Sequence, residues 1–392
     1  MTADPVPGPL PPLDRMLCGA GTGATMVRLI RESYAVVQPR AEEAVRFLYA
    51  TLFAIAPATR ELFAANMEMQ YGRLLRALTH IVQKIDQPDD LLPFLRQLGR
   101  DHRKFGVLTQ HYDAMGTALV TALKQYAGQA WTPQVEKAWI DAYGLIVKAM
   151  LEAADDDREP AWWTAQVVEH QRLTWDLAVV RVQPDQPVPY QAGQYVSVEV
   201  PQRPRLWRYL SPANAPRPDG AIEFHIRAVP GGWVSRSIVG HTQIGDTWRI
   251  GSPMGRMSVD RNSGRNVVMV AGGTGAAPLR AILEELSRWG SNPDVTMFAG
   301  ARTRADLHDL DTLTAMTAAN PWLTVIPVLE SHPRVAGIEH GTLADVVTRF
   351  GAWADHDVLV CGSPAMIRAT VSRMLVAGTP LDRITYDPFT VD

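Results

Sequence analysis

The feature that most constrains this chain is a change of character near residue 157. Up to that point, apolar residues recur every three or four positions, which is typical of amphipathic helices. From Trp162 onward the chain has short runs of β-branched and aromatic residues, glycine turns and alternating strand and helix patterns. The acidic run 155–160 joins the two parts. A chain of 392 residues with such a change is expected to fold as two or three domains.

Composition excludes several classes of protein. A net charge of −3 offers no basic surface for nucleic acid, so no nucleic-acid partner is expected. The two cysteines, Cys18 and Cys361, lie far apart, which excludes a disulfide framework and a cysteine-ligated metal cluster and favours a cytoplasmic compartment. No apolar run is long enough to span a bilayer, so no obligatory membrane contact is expected. Residues 1–24 are rich in proline, lack the pattern of a secretion signal, and predict a disordered lead.

Helical periodicity continues through the first part of the chain. It predicts segments at 26–37, 40–55, 59–63, 69–85, 89–105 and 110–126, and a long last helix capped by Thr132-Pro133. About seven helices without a strand signal predict an all-α globular domain over residues 25–157.

One histidine in this helical part is a candidate metal ligand. His102 lies at the carboxyl end of a predicted helix, just before the loop 106–109. A single histidine is more often a surface or core residue, and His80 and His111 are interpreted in that way. Gln70 and Leu74 are four residues apart and therefore share a helix face, where they could look into one pocket.

The next part of the chain predicts a small antiparallel β-barrel over residues 158–263. Its expected strands are 175–182, 195–200, 222–229 and 247–250. It contains Arg208-Tyr209-Leu210-Ser211, which resembles the Arg-x-Tyr-Ser flavin motif of the ferredoxin-reductase superfamily. On that resemblance, the arginine would bind the flavin diphosphate, and the serine would lie close to the flavin ring. Two shorter motifs flank it in the order that the superfamily uses around FAD: Gly193-Gln194-Tyr195, and Gly232-Trp233-Val234-Ser235.

Residues 264–392 predict a doubly wound α/β domain that binds NAD(P). The apolar strand 266–271 runs into a glycine turn and a helix at 279–289, an arrangement that holds a pyrophosphate at a helix N-terminus. A second strand, 358–361, ends in Cys361-Gly362, and both motifs fall where such a sheet binds its ligand. The residues of the turn are Gly272, Gly273, Thr274, Gly275, Ala276, Ala277 and Pro278.

The sequence does not decide between NADH and NADPH. Arg302 and Arg304 follow the second strand of this sheet, and arginine there suits the 2′-phosphate of NADPH. Asp306 lies close by, and an acid suits the ribose hydroxyls of NADH. Both nucleotides stay open on these residues.

From about residue 26 to 392 the chain resembles a flavohaemoglobin, a globin fused to a ferredoxin-reductase-like FAD and NAD domain. The resemblance implies haem b, FAD and NAD(P)H as cofactors. It makes His102 the proximal haem ligand and Tyr49 with Gln70 the distal hydrogen-bonding pair. It makes Leu74 the distal apolar wall, Phe63 the residue wedged against the haem, and Tyr112 part of the network behind His102. In the reductase part it places Cys361 and Gly362 near the nicotinamide, and Phe389 over the flavin.

The activity implied by this resemblance is nitric oxide dioxygenation by a monomer. Electrons would pass from NAD(P)H through FAD to haem, and dioxygen and nitric oxide would combine to nitrate. One alternative is a divergent, actinobacterial-type flavohaemoglobin with weak dioxygenase activity and another electron donor or acceptor. A gas-binding sensor is a third alternative, which the intact nucleotide motifs disfavour.

Four positions depart from the family pattern. Leu210 replaces the tyrosine of the flavin motif, and Tyr209 beside it should point to the opposite face of the strand. Asp101 stands where the family has a lysine and Asp387 where it has a glutamate, so two acids would repel rather than pair. Ala154 replaces the glutamate that polarises the proximal histidine, and Glu152 lies on another helix face. The sequence therefore predicts weaker electron donation from His102 to the iron and a raised reduction potential of the haem.

Overall fold

The computed structural model describes residues 22–330 and 335–387, and the chain divides into two compact units, Met1–Ala161 and Trp162–Asp392. The expected fold is confirmed: a helical globin domain, then an antiparallel barrel, then a parallel-sheet α/β domain. No helix of the described residues is long and apolar enough to cross a membrane.

Six α-helices form the described part of the first unit. They bury a core of aliphatic and aromatic side chains such as Ile30, Leu48, Leu52 and Trp139. The long last helix begins as predicted, with the Thr132 side chain accepting a hydrogen bond from the amide of Val135. The helices are α1 Thr22–Val37, α2 Ala41–Ile55, α3 Glu68–Lys84, α4 Pro88–His102, α5 Thr109–Ala127 and α6 Pro133–Asp155.

Two helical predictions differ in detail from the structure. The segment expected at 59–63 is a 3-10 helix, Pro57–Leu62, with Pro57 in its first turn. The helix expected to reach residue 105 ends at His102 and continues as the 3-10 turn Arg103–Phe105. Gly106 stops the turn with a φ of +68°, a left-handed conformation that glycine adopts freely.

The barrel of the second unit is a six-stranded antiparallel sheet in the order β4-β3-β6-β1-β2-β5. A bridge between Pro212 and Phe224 links the chain after β4 to β5, so the sheet nearly closes on itself. The strand β1 had no separate prediction and is ten residues long. The elements are β1 Trp163–Arg172, β2 Leu177–Pro184, β3 Val196–Glu199, β4 Arg208–Leu210, β5 Ile222–Arg227, α7 Trp233–His241 and β6 Thr247–Ile250.

The last part of the chain is a parallel sheet in the order β10-β9-β8-β7-β11-β12. The strand order reverses between β7 and β11, and ligands of such sheets bind at the carboxyl ends of the strands at this switch point. The elements are β7 Val267–Gly272, α8 Ala276–Leu286, β8 Val295–Ala301, α9 Leu310–Ala319, β9 Leu323–Leu329, β10 Glu339–His340, α10 Leu343–Phe350, β11 Asp357–Cys361, α11 Pro364–Val376 and β12 Ile384–Tyr386.

Candidate functional site

The polar pair expected on the distal side of the globin pocket is formed. Gln70 on α3 donates a hydrogen bond from Nε2 to the hydroxyl of Tyr49 on α2, at 3.0 Å. Burial raises the pKa of the Tyr49 phenol, so the hydroxyl keeps its proton. Because its oxygen accepts from Gln70, the Tyr49 hydroxyl can donate its own proton to a third group.

Aromatic and aliphatic side chains surround this pair. The Tyr49 ring meets Phe63 edge-on at 5.4 Å between centroids and lies 5.5 Å from Tyr71. Leu74, one turn beyond Gln70, is only half-buried although it packs against the globin core. Of the 17 residues of α3, only Ile81 and Val82 are buried, so most of its apolar stripe remains partly exposed. A partly exposed apolar helix face beside a polar pair fits a haem, which needs apolar walls.

His102 is the last residue of α4 and is held in one tautomer. Its Nδ1 lies 2.7 Å from the carbonyl oxygen of Leu98, and a carbonyl can only accept, so Nδ1 carries the proton. Burial lowers the pKa of His102, which keeps the imidazole neutral. Its Nε2 therefore keeps a lone pair, the form of histidine that ligates iron.

Close packing of α4 on α6 fixes the surroundings of His102. A Cβ on Gly99 would lie 2.2 Å from the carbonyl oxygen of Met150, so only glycine permits this approach. Arg103 forms an ion pair with Asp157 at 2.8 Å. These two contacts show that both helices run in the same direction here.

The parallel run of α4 and α6 brings the last turn of α4, which carries His102, close to the last turns of α6. In these turns Ala154 is half-buried and carries no carboxylate, and Glu152 is exposed. The described partner of His102 Nδ1 is the carbonyl oxygen of Leu98 and not a carboxylate, which supports the predicted loss of anionic character behind this candidate iron ligand.

The charge near His102 has a partner that was not predicted. Asp101 was expected to repel Asp387, and the structure shows that Asp101 forms an ion pair with Lys104, whose side chain is 3% exposed. The lysine stands three residues further along the chain, one helical turn away, so the carboxylate is neutralised locally. The Tyr112 ring lies 6.3 Å from the His102 ring, and the Tyr143 hydroxyl donates to the Tyr112 carbonyl at 2.7 Å.

In the barrel, the flavin motif lies on β4, and its neighbouring side chains point to opposite faces. Leu210 pairs with Val196 and packs against the barrel core. Tyr209 is 40% exposed and meets Tyr195 edge-on at 5.1 Å. The aromatic surface that can receive a flavin ring is therefore formed by Tyr195 and Tyr209, with Leu210 as an apolar neighbour rather than a stacking ring.

The residues predicted to bind the flavin diphosphate lie on β4 and at the start of α7. Arg208 is half-buried, and Ser211 follows it directly after the strand. Gly232 is the N-cap of α7, and Ser235 in its first turn hydrogen-bonds to Val229 through the hydroxyl. Val234 packs into the barrel core and fixes that helix end, whose free amides suit a diphosphate.

The two nucleotide motifs meet at the switch point of the parallel sheet. Gly273, Thr274 and Gly275 form a 3-10 turn after β7, and Ala276, Ala277 and Pro278 begin α8. A Cβ on Gly275 would lie 2.5 Å from the carbonyl oxygen of Cys361, and one on Gly272 would lie 3.7 Å from the Cα of Gly362. Cys361 is buried with its sulfur 3.2 Å from that of Met257, and burial raises the pKa of its thiol. The turn and Cys361-Gly362 form one surface.

Asp387, the last described residue, lies near the same region. Asp387 is 4% exposed beside Gly255 and Tyr195, and burial raises the pKa of its carboxyl to about 7. At neutral pH it is therefore partly protonated, not the permanent charge that the sequence suggested. Phe389, expected to cover the flavin, lies outside the described residues.

A charged cluster between the barrel and the nucleotide-binding sheet had no prediction. Glu223 on β5 accepts from Arg280 on α8 at 2.7 Å, and Arg280 also reaches Asp309 at 3.1 Å. His225 lies 3.1 Å from Glu223 and 3.0 Å from His308. The hydrogen bond with His225, followed by the charge of Arg280, lowers the pKa of Glu223. Arg280, the one charged residue in the otherwise apolar stretch 276–283 of α8, was the available signal for this cluster.

Three family models match successive parts of the chain. The globin model matches residues 46–150, the oxidoreductase FAD-binding domain 164–259, and the oxidoreductase NAD-binding domain 269–372. The matches follow the order of the three folds described above.

Curated relatives fall into two groups. The flavohemoprotein of Bacillus subtilis is 24% identical over 93% of this chain and 96% of its own length. The reductase component of propane 2-monooxygenase from Mycolicibacterium goodii is 30% identical over 57% of this chain. The chain spans about two thirds of the length of such reductases, 67% for the Mycolicibacterium protein and 66% for the xylene/toluene monooxygenase electron transfer component of Pseudomonas putida.

Solved structures show the same division. The flavohemoglobin of Malassezia yamatoensis, solved with bound FAD and haem, has a TM-score of 0.74 at 18% identity and covers 92% of this chain and 98% of its own. A cytochrome P450 reductase of Amycolatopsis has a TM-score of 0.54 at 29% identity, covering 58% of this chain and 70% of its own. The first likeness concerns the whole fold, and the second only its reductase part. This chain, a globin followed by FAD-binding and NAD-binding oxidoreductase domains, belongs to the flavohaemoglobin family and is an NAD(P)H-dependent oxidoreductase.

Proposed function

We propose that this flavohaemoglobin is a nitric oxide dioxygenase. Two nitric oxide and two dioxygen molecules are converted, with one NAD(P)H, to two nitrates, NAD(P)⁺ and a proton. When bound, FAD splits a hydride into single electrons and haem supplies the iron at which the two gases combine. The dioxygen and nitric oxide partners and the cytoplasmic location belong to this proposal.

The residues of the chain divide this work. His102 would hold the iron through Nε2, since Leu98 keeps the other nitrogen protonated. Tyr195 and Tyr209 would offer the flavin an aromatic surface, and Arg208 would offer its diphosphate a cation. The turn at 273–275 would hold the pyrophosphate of the nucleotide, and Leu74 and Phe63 would exclude water on the distal side.

The hydrogen bond from Gln70 to Tyr49 is the observation that carries the proposal. It holds the buried phenol in place and leaves its proton free to donate into the pocket. A distal donor to a partly anionic diatomic ligand favours oxygen chemistry over simple electron relay.

The test is nitrate formation by the purified holoenzyme with NAD(P)H, dioxygen and nitric oxide. Tyr49→Phe should lower nitrate formation about tenfold to a hundredfold, since a hydrogen bond to a charged acceptor contributes roughly 1.5–3 kcal/mol. Reduction of ferricyanide, which needs only the flavin, should not change. Tyr34→Phe is the matched control, because its hydroxyl pairs with Thr79 at 2.7 Å in the same domain and away from Gln70. Equal nitrate formation by Tyr49→Phe and the natural protein would refute the proposal.

A second candidate function is electron transfer to an acceptor outside this chain. The absence of a stacking ring at Leu210 and the carbonyl partner of His102 favour it. Propane 2-monooxygenase reductase and other relatives are named as reductase components. Fast reduction of one-electron acceptors with negligible nitrate formation would select this candidate. The close contact of the glycine turn with Cys361 counts against a gas sensor with a vestigial reductase.

A further inference from the structure

The segment that follows β8 carries the groups that could distinguish NADPH from NADH. β8 ends at Ala301, and Arg302, Thr303, Arg304 and Asp306 come next. In a doubly wound sheet this position faces the ribose of the adenosine, where an acid favours NADH and an arginine favours NADPH.

Asp306 is engaged inside the protein. One carboxylate oxygen accepts from Arg227 at 2.8 Å, and the other accepts from the amide and hydroxyl of Thr303 at 3.2 and 2.7 Å. These bonds cap the 3-10 turn Arg304–Asp306 and join it to β5. Three of the roughly four acceptor sites of this carboxylate are therefore occupied, which leaves too few to accept from both hydroxyls of a ribose.

Asp309 is the next acid along the segment, and it is enclosed. It is 7% exposed; its Oδ1 accepts from Arg280, while Oδ2 has no hydrogen-bond partner among the described residues. It lines a cavity of about 10 Å³ beneath Gly273, which is room for one water at most. A ribose cannot enter this cavity.

A larger cleft opens on the other side of the same segment. Its volume is about 380 Å³, and its walls come from α9, β9 and residues 335–338. Among the described residues that line it, Arg304 alone is charged; the apolar walls include Leu310, Val325, Pro327 and Val335. Arg304 is exposed and has no ion pair in the part of the chain that the structure describes. Glu330, after β9, does not line the cleft.

We infer that this cleft binds the adenosine half of NADPH and that Arg304 selects NADPH over NADH by pairing with the 2′-phosphate. The apolar walls suit the adenine, and the guanidinium suits a phosphate dianion in a bidentate pair. The inference deepens the proposed function, since it rests on the flavin being reduced by a pyridine nucleotide.

The test is anaerobic stopped-flow reduction of the bound flavin by NADPH and by NADH, without nitric oxide. The natural protein should use NADPH with the higher second-order rate constant. Arg304→Gln should lower the NADPH constant about tenfold to a hundredfold, as expected for loss of a hydrogen bond to a charged group, and should leave the NADH constant within about twofold. Arg349→Gln, a second exposed arginine of the same domain that pairs with Glu339, is the matched control and should change neither.

Binding of 2′,5′-ADP and 5′-AMP, measured by calorimetry, gives a readout that does not depend on turnover. 2′,5′-ADP should bind more tightly to the natural protein, and R304Q should remove the difference. Equal or faster reduction by NADH, or an equal loss with both nucleotides in R304Q, would overturn the inference. Absence of nitrate formation together with NADPH-selective flavin reduction would refute only the dioxygenase proposal.

Discussion

Buried polar groups differ in charge between two regions of the molecule: the globin pocket, and the contact between the barrel and the nucleotide-binding sheet. In the pocket, Tyr49, Gln70 and His102 are neutral, because burial raises the pKa of the tyrosine and lowers that of the histidine. Between barrel and sheet, Glu223, Arg280 and Asp309 are charged and buried. Neutral partners cost little to bury and leave a bound iron as the main charge, whereas ion pairs require exact partners.

This difference predicts how much stability a substitution costs in each of the two regions. Loss of one neutral donor in the pocket removes one hydrogen bond. Loss of one ion between barrel and sheet leaves its partners charged and buried, which is far more costly. The following predictions test this contrast.

The largest effect is expected for Arg280→Met. The substitution leaves Asp309 without its cation and removes one of the two arginines that pair with Glu223, the other being Arg181 at 3.0 Å. Breaking a buried pair in this way typically costs roughly 3–5 kcal/mol. The free energy of unfolding of the reductase unit, followed by flavin fluorescence, should fall by that amount. Arg373→Met removes an exposed pair with Asp345 and should cost about 1 kcal/mol or less. If Arg280→Met lowers the free energy of unfolding no more than this control does, the contrast between the two regions is wrong.

A smaller effect, set by pH, is expected for Asp387→Asn. Burial raises the pKa of Asp387 from its ordinary value of 3.8 to about 7. Between these values the folded protein binds more protons than the unfolded chain, so Asp387 lowers stability as pH rises from about 4 to about 7. The full penalty, up to about 4 kcal/mol for such a shift, is present above pH 7.

Denaturant titrations at pH 5 and pH 8 measure this effect. Asp387→Asn should be stabilised relative to the natural protein at pH 8 and by less at pH 5. Asp382→Asn, at an exposed position of the same unit, is the control and should show no such difference. An identical stability difference at both pH values would show that Asp387 does not titrate in this range.

The smallest effect is expected behind the haem ligand. Ala154→Glu should restore a carboxylate beside His102 and lower the ferric/ferrous midpoint by on the order of 50 mV, about tenfold in the equilibrium constant of a one-electron couple. Potentiometric titration of the haem spectrum measures it. Glu152→Gln, on the exposed face of α6, should leave the midpoint unchanged. A natural midpoint equal to that of flavohaemoglobins which keep the glutamate would contradict the predicted loss of anionic push.

Much of the candidate site could be predicted because it depends on local spacing. Four-residue spacing placed Gln70 and Leu74 on one face, and a glycine run after an apolar strand placed the nucleotide turn at a sheet edge. Strand alternation correctly placed Tyr209 and Leu210 on opposite sides of β4. The pairing of Asp101 with Lys104 was also local and could have been found from its three-residue spacing.

The sequence by itself determined the order of the three folds, the iron-binding histidine candidate and the two nucleotide-facing motifs, because helix and strand periodicity and glycine turns act over a few residues. Only the tertiary structure decided which carboxylates form ion pairs inside the protein. Asp306 is bound by Arg227, 79 residues away, and Glu223 is bound by Arg280, 57 residues away. Such pairings depend on how the barrel and the sheet pack together, and no local sequence pattern predicts a contact between residues so far apart in the chain.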